Sequence, residues 1–143
     1  MNPLDFLPHQ PPMRLVHEIT ELVPGERATG IRVAAEDDFY FAGHFPGHPI
    51  VPAIILVELV AQVGGLAAAV PTDGRATDIC NLRVAGIGPF KFPAAAGPGA
   101  RLEARARVAG RLGAMFKIEG EVFADGVLVA SGSVTLAGSP VAS

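Results

Sequence analysis

The longest apolar stretch of the chain covers residues 52–70, and Glu58 and Gln62 are its only polar side chains. A helix that is apolar on every side is usually buried by its neighbours. Because Glu58 and Gln62 are four residues apart, they lie on one helical face, one turn from each other. A carboxyl group on such a helix needs a partner or a function, since charges are rarely buried without compensation. Pro52 suits the first helical position, where its missing N–H costs nothing.

Six strands are predicted around this helix. Charged and aliphatic residues alternate in 101–108, the period of a strand with one solvated face. The pairs Pro24-Gly25 and Asp125-Gly126 are turn signals between neighbouring strands. A helical turn at 3–7 and a proline-rich segment at 9–12 come first, and the predicted strands are 14–23, 27–34, 77–87, 101–110, 114–124 and 127–137.

Two strands, one buried helix and four further strands predict an α+β fold. The simplest architecture is a curved antiparallel sheet wrapped around a long central helix. A length of 143 residues is most simply one domain, covering 1–143, and is sufficient for a real core.

Composition narrows the class of protein. With 50% hydrophobic and 17% charged residues the chain is not expected to be disordered, and the apolar excess predicts a surface covered by another subunit. A net charge of -3 and the lack of a basic run argue against a nucleic-acid partner. Glu58 and Gln62 at mid-span argue against a membrane helix. The start resembles no signal peptide and Cys80 is the only cysteine, so a cytoplasmic location is expected.

A histidine-containing loop with the sequence FAGHFPGHPIVP leads into the helix. Two glycines and two prolines fix its turns and bring His44 close to the helix N-terminus. Backbone amides at Ala53 and Ile54 can donate to an oxygen that gains negative charge. A base, an acid and oxyanion donors therefore occur within one short stretch.

The remaining histidines and the basic residues are interpreted more simply. His48 is expected to be solvated and His9 and His17 to be structural, although His9 could pack near the site. The four histidines have no known metal-ligand spacing, so no metal is predicted. The scattered basic residues are interpreted as a solvated face, with contact to a phosphate or a carrier protein as the alternative: Arg83, Lys91, Arg101, Arg105 and Arg107.

The segment GHFPGHPIVP followed by IILVELVAQ closely resembles the active-site segment of the FabZ-type 3-hydroxyacyl-acyl-carrier-protein dehydratases, which have the hot-dog fold. LPHQPPM, LVHEI, VAGI and the late Pro98-Gly99 also match, so the resemblance spans most of the chain. It implies that His44 is the catalytic histidine and Glu58 the catalytic acid. It also implies substrate binding by the Ala53 backbone amide and by three further residues, Gly43, Phe45 and Gln62. For Gln62, the favoured interpretation is a core hydrogen-bonding residue that orients Glu58 or a loop.

The activity that this resemblance implies is dehydration of (3R)-3-hydroxyacyl thioesters on acyl carrier protein to trans-2-enoyl thioesters, in fatty acid or related polyketide or polyene biosynthesis. It implies no cofactor, and a homodimer or larger oligomer in which the histidine and the acid of one site come from different subunits. Such a reaction needs a base for the C2 proton, an acid for the departing hydroxyl, and donors for an enolate-like oxygen. His44, Glu58 and the helix amides are suitable groups for these tasks.

Three departures from the family pattern keep alternatives open. Ala53 replaces the usual glycine, His17 stands where an aspartate is usual, and GPFKFPAAAGPGA lacks most of the usual charges. The last of these puts the carrier-protein docking surface in question. The alternatives are a hot-dog acyl thioesterase, which would activate water, and a non-catalytic acyl-binding partner subunit.

Overall fold

The computed structural model describes residues 2–69 and 79–140, which form one 3-10 helix, one α-helix and six strands. In chain order they are the 3-10 helix Pro3–Phe6, β1 Glu18–Val23, β2 Arg27–Val33, α1 Ala53–Ala69, β3 Ile79–Lys91, β4 Arg101–Leu112, β5 Met115–Ala124 and β6 Val127–Pro140. The predicted ends at residues 70 and 77 lie outside the described residues.

The six strands form one antiparallel sheet in the order β1-β2-β4-β5-β6-β3, so β1 and β3 are its edges. Helix α1 contacts every strand of this sheet. Six strands laid flat would span about 24 Å, whereas a helix is about 10 Å wide, so the sheet must curve around the helix. The predicted α+β hot-dog architecture is confirmed.

Close packing of α1 against the sheet depends on glycines at the contact. A side chain on Gly64 would collide with the side chain of Ile118 on β5, and one on Gly120 would lie 2.7 Å from Val60. The helix therefore approaches the strands more closely than larger residues would allow, and most of its side chains are buried. No helix among the described residues is long and apolar enough to cross a bilayer.

Strand β1 starts four residues later than the sequence predicts. Leu15, inside the predicted strand, donates its N–H to the Gln62 side chain at 2.8 Å and accepts from Arg32 Nη1 at 2.7 Å. The hydrogen-bonding groups of its backbone are thus satisfied by side chains instead of by a neighbouring strand.

Strand β3 extends to Lys91, beyond the predicted end at 87, and an edge strand can tolerate the proline at position 89.

Candidate active site

Glu58 and Gln62 lie one turn apart on α1, as their spacing predicts. Gln62 Nε2 donates to Glu58 Oε2 at 2.8 Å. The Gln62 side chain is almost fully buried at 1% exposure, whereas the Glu58 side chain keeps 24% of its surface accessible. The carboxyl group is therefore held from inside the fold and open on its other side.

The orientation of the Gln62 amide is fixed by three hydrogen bonds. Its Oε1 accepts from Leu15 N at 2.8 Å, and its Nε2 donates to Met13 O at 2.7 Å as well as to Glu58. If the amide were flipped, its NH2 group would face the Leu15 N–H, and its oxygen would face Met13 O and Glu58 Oε2. Gln62 therefore joins the helix to the segment before β1 and orients Glu58.

His9 also lies beside Glu58. Its Nε2 is 3.4 Å from Glu58 Oε2, the same oxygen that Gln62 contacts. Its Nδ1 is buried and has no hydrogen-bond partner among the described residues. Sequence reasoning treated His9 as structural and noted only that it could pack near the site. The available signal was its place in the matching LPH segment.

Glu58, Gln62 and His9 line a cavity of about 460 Å³. One wall is the face of α1 beyond Glu58, where the residues are small: Ala61, Gly65 and Ala69. The rest of the lining comes from the N-terminal segment and the sheet, and comprises the apolar residues Phe6, Leu7, Pro8, Leu82, Val84 and Leu136 and the polar residues Asp5, Asn81 and Arg83. The lining is therefore mainly apolar with a few polar groups, which is typical of sites that bind small molecules.

His44 lies in the loop before α1. Its Nδ1 is 3.3 Å from Ile50 O, and Phe45 stacks on its ring with centroids 4.2 Å apart. Gly43 and Phe45 are exposed, as is Ala53, the first residue of the helix. The amides of Ala53 and Ile54 belong to the first turn, where a helix leaves N–H groups unpaired.

The structure brings together some predicted site residues and separates others. Glu58, Gln62 and His9 form one cluster, and His44 with Phe45 forms another at the helix N-terminus. No hydrogen bond or ion pair joins His44 to Glu58 within the described part of the chain. The described residues also contain no group of three or more potential metal-binding side chains.

Sequence reasoning missed a buried network around Arg32. Only 6% of Arg32 is exposed, and its guanidinium contacts Asp38 Oδ2 at 2.9 Å, Tyr40 Oη at 3.1 Å and Leu15 O at 2.7 Å. Tyr40 Oη in turn donates to Asp38 at 2.6 Å. Tyr40 is buried in the hydrophobic core, and its hydroxyl group also belongs to this network. The available signal was an arginine placed between two aliphatic residues, Ile31 and Val33.

His17 completes this network, at the position where the resemblance implies an aspartate. Its Nε2 lies 3.2 Å from Arg32 Nη1, and Val33 N donates to its Nδ1 at 3.3 Å. Partial burial and the positive charge of Arg32 lower the pKa of His17, and the charge of Asp38 opposes them. If both ring nitrogens of His17 carried a proton, each ring N–H would face another N–H donor, one from Arg32 and one from Val33.

Burial and the hydrogen bond to Asp38 raise the pKa of Tyr40 to about 12.

The arginines of β4 form a solvated ladder, as predicted. Arg107 Nη1 donates to both carboxylate oxygens of Glu121, at 3.1 and 2.9 Å, and Arg105 pairs with Glu103 at 2.6 Å. Exposed pairs of this kind contribute about 0–1 kcal/mol each. These arginines are already paired with carboxylates of the same chain.

An antiparallel sheet curved around a central helix, with a cavity at a carboxyl group on that helix, defines the class: this is a hot-dog-fold protein. A solved structure described as the dehydratase heterocomplex ApeI:P from Xenorhabdus doucetiae has the same fold, with a TM-score of 0.78 over 97% of this chain and 91% of that one. At 17% identity this likeness concerns the fold alone.

Sequence comparisons define the family. Residues 7–133 match the model of the FabA-like domain. A 3-hydroxyacyl-acyl-carrier-protein dehydratase FabZ from Syntrophotalea carbinolica is 34% identical over 137 residues, covering 96% of this chain and 92% of the relative. The FabZ of Nitratidesulfovibrio vulgaris is 36% identical over 134 residues, covering 94% and 86%. The chain therefore belongs to the FabA-like family, among its FabZ-type 3-hydroxyacyl-acyl-carrier-protein dehydratases.

Proposed function

We propose that this enzyme removes water from (3R)-3-hydroxyacyl thioesters on acyl carrier protein and forms trans-2-enoyl thioesters, in fatty acid or related polyketide or polyene biosynthesis. The observation that carries the proposal is the Glu58 carboxyl group, which is held by Gln62 in the lining of a largely apolar cavity. An acyl chain fits such walls, and its 3-hydroxyl group would meet the carboxyl group. We expect the reaction to take place in the cytoplasm.

Glu58 is the general acid in this proposal. Its Oε2 accepts from Gln62, while its Oε1 makes no hydrogen bond within the described residues. The proton on the carboxyl group passes to the departing 3-hydroxyl as the C3–O bond breaks, and water leaves. A general acid in this position typically contributes about 10²- to 10⁴-fold to the rate.

His44 is the general base. A proton on Nδ1, shared with Ile50 O at 3.3 Å, leaves Nε2 as the lone-pair nitrogen. That nitrogen removes a proton from C2, and the electron pair of the C2–H bond forms the new double bond as the hydroxyl leaves C3. Phe45, stacked on the imidazole, limits rotation of the ring.

The thioester oxygen gains negative charge when the C2 proton is removed. The Ala53 amide, in the first turn of α1, is the proposed donor, assisted by the helix dipole. Gly43 and Phe45 lie in the same loop, so we assign them to the substrate-binding surface. Ala53 adds a methyl group where the resemblance implies glycine, and the backbone donor is retained.

We propose that two copies of the chain share each site. His44 and Glu58 of one chain do not contact each other, so a second copy can supply the missing group. Large apolar side chains are exposed near the loop and along the edge strand β3, including Phe45 at 52%, Ile54 at 61% and Ile87 at 55%. Pairing of two copies would cover this surface and enclose the acyl chain.

Ultraviolet detection of enoyl thioester formation tests the reaction. We expect the wild type to form the product and His44→Ala and Glu58→Gln each to lose about 10²- to 10⁴-fold in kcat, with the fold intact. His48→Ala is the matched control, because His48 is an exposed histidine of the same loop. Thiol release without enoyl product would indicate a thioesterase, and tight substrate binding without turnover would indicate an acyl-binding subunit.

A further inference from the structure

His9 is the only histidine at the acid side of the described site, and the proposed reaction gives it no task. Its Nε2 approaches Glu58 Oε2 to 3.4 Å, and it lines the same cavity as Glu58. A contact of this length is too long for a strong hydrogen bond. Hydrogen bonds at catalytic groups are often long in the free enzyme and shorten once substrate is bound.

We infer that His9 is a positioning residue for Glu58: together with the Gln62 amide it holds Oε2, so that Oε1 carries the proton delivered to the leaving hydroxyl. This inference rests on the proposed dehydration. A carboxylic acid can carry its proton on either oxygen, and only an oxygen facing the substrate is useful. Two N–H donors directed at Oε2 disfavour a proton there and favour one on Oε1.

The surroundings of the His9 ring fit this role. Nδ1 is buried and has no hydrogen-bond partner among the described residues. A proton on Nδ1 would be an unpaired buried donor, which is rarely tolerated. With its proton on Nε2 the ring directs a donor at Glu58 and leaves only a lone pair unpaired.

The backbone that carries His9 is held in place relative to Glu58. Arg14 Nε donates to His9 O at 3.2 Å, and Gln62 Nε2 donates to Met13 O at 2.7 Å. The residue that orients Glu58 therefore also anchors the segment that presents His9. Because 27% of the His9 side chain is exposed, its replacement should leave the fold intact.

The test compares two replacements of similar polarity. In His9→Gln the amide nitrogen can take the place of Nε2, whereas in His9→Asn the shorter side chain reaches only the place of Nδ1. With a 3-hydroxyacyl pantetheine thioester as substrate, we expect His9→Asn and His9→Ala to lower kcat about 10- to 100-fold with little change in KM. We expect His9→Gln to recover most of that loss, and His48→Gln to behave as the wild type.

Other outcomes would overturn the inference. An unchanged kcat in His9→Asn, a change confined to KM, or equal losses in the Gln and Asn variants would each show that His9 does not position the acid. Absence of enoyl product from the wild type would instead overturn the proposed function, and the inference with it. Thermal unfolding of each variant separates loss of positioning from loss of fold, since positioning predicts wild-type stability for both polar variants.

Discussion

The acid side and the base side of the site are built differently. On the acid side, Glu58 lies on a buried helix and is held by Gln62, which makes three hydrogen bonds at 2.7 to 2.8 Å. On the base side, His44 lies in a loop, and among the described residues its ring makes one polar contact, at 3.3 Å to Ile50 O. Within one chain, the acid is therefore held by a well-ordered hydrogen-bond network, whereas the base is held by few contacts. This difference supports a site completed by a second copy.

The two sides meet at the peptide groups of Leu15. Its N–H is bound by Gln62 on the acid side, and its carbonyl accepts from Arg32, which also holds Asp38 and Tyr40 just before the His44 loop. Arg32 and Gln62 have corresponding roles on the two sides. Each is a buried polar side chain whose hydrogen bonds order a segment that lacks strand pairing. Replacing each in turn tests this parallel.

The largest loss of stability is expected for Arg32→Met. It leaves the Asp38 carboxylate, which is 12% exposed, without its positive partner. Removing one partner of a buried ion pair costs about 3–5 kcal/mol of unfolding free energy. Chemical denaturation of the variant measures this loss.

The double variant Arg32→Met with Asp38→Leu is the control for Arg32→Met. Replacing both charges with apolar groups avoids the orphaned carboxylate, so a large part of the lost stability should return. A single variant as stable as the wild type would contradict the assigned role of Arg32.

Gln62→Met is expected to cost less stability and to affect the acid side selectively. The Leu15 N–H and the Met13 carbonyl lose their partner, and an unpaired buried group costs about 1–3 kcal/mol. Glu58 also loses its main donor, so kcat should fall more than KM changes. Denaturation and steady-state kinetics measure the two effects. Unchanged kcat in a folded Gln62→Met would show that Glu58 does not depend on this amide.

The smallest expected effect is the pH dependence contributed by His17. Because its pKa is lowered in the folded protein, the unfolded chain binds more protons once the pH falls below 6.5. The unfolding free energy should therefore decrease as the pH falls through and below this value. His17→Gln should show a weaker decrease, measured by denaturation from pH 7.5 down to about pH 5. His48→Gln, with its exposed ring, should follow the wild type. Parallel curves for wild type and His17→Gln would contradict the assignment.

Much of the fold could be predicted because its signals are local. The apolar run at 52–70 predicted the helix. The alternation of apolar and polar residues, together with turn signals, predicted the six strands. The start of β1 was wrong because its signal is not local: Leu15 bonds to side chains 47 and 17 residues away in the sequence. Strand β3 continues past the predicted end at 87 because its place at the sheet edge tolerates Pro89.

The site could be predicted in part. The spacing of Glu58 and Gln62 fixed their contact, since helical geometry alone brings such a pair together. The position of His9 beside Glu58 and the Arg32 network depend on how distant segments pack, which no periodicity encodes. The roles of His44, Glu58 and Ala53 stay predictions, and activity measurements must test them.

Mixing two inactive variants tests most directly whether the acid and the base act together across two chains. His44→Ala and Glu58→Gln are combined, dissociated, reassociated and assayed for enoyl thioester formation. If each site takes His44 from one copy and Glu58 from the other, half of the randomly paired dimers hold one intact site, so the mixture should recover about a quarter of wild-type activity. No recovery from a mixture shown to contain mixed dimers would contradict the shared site.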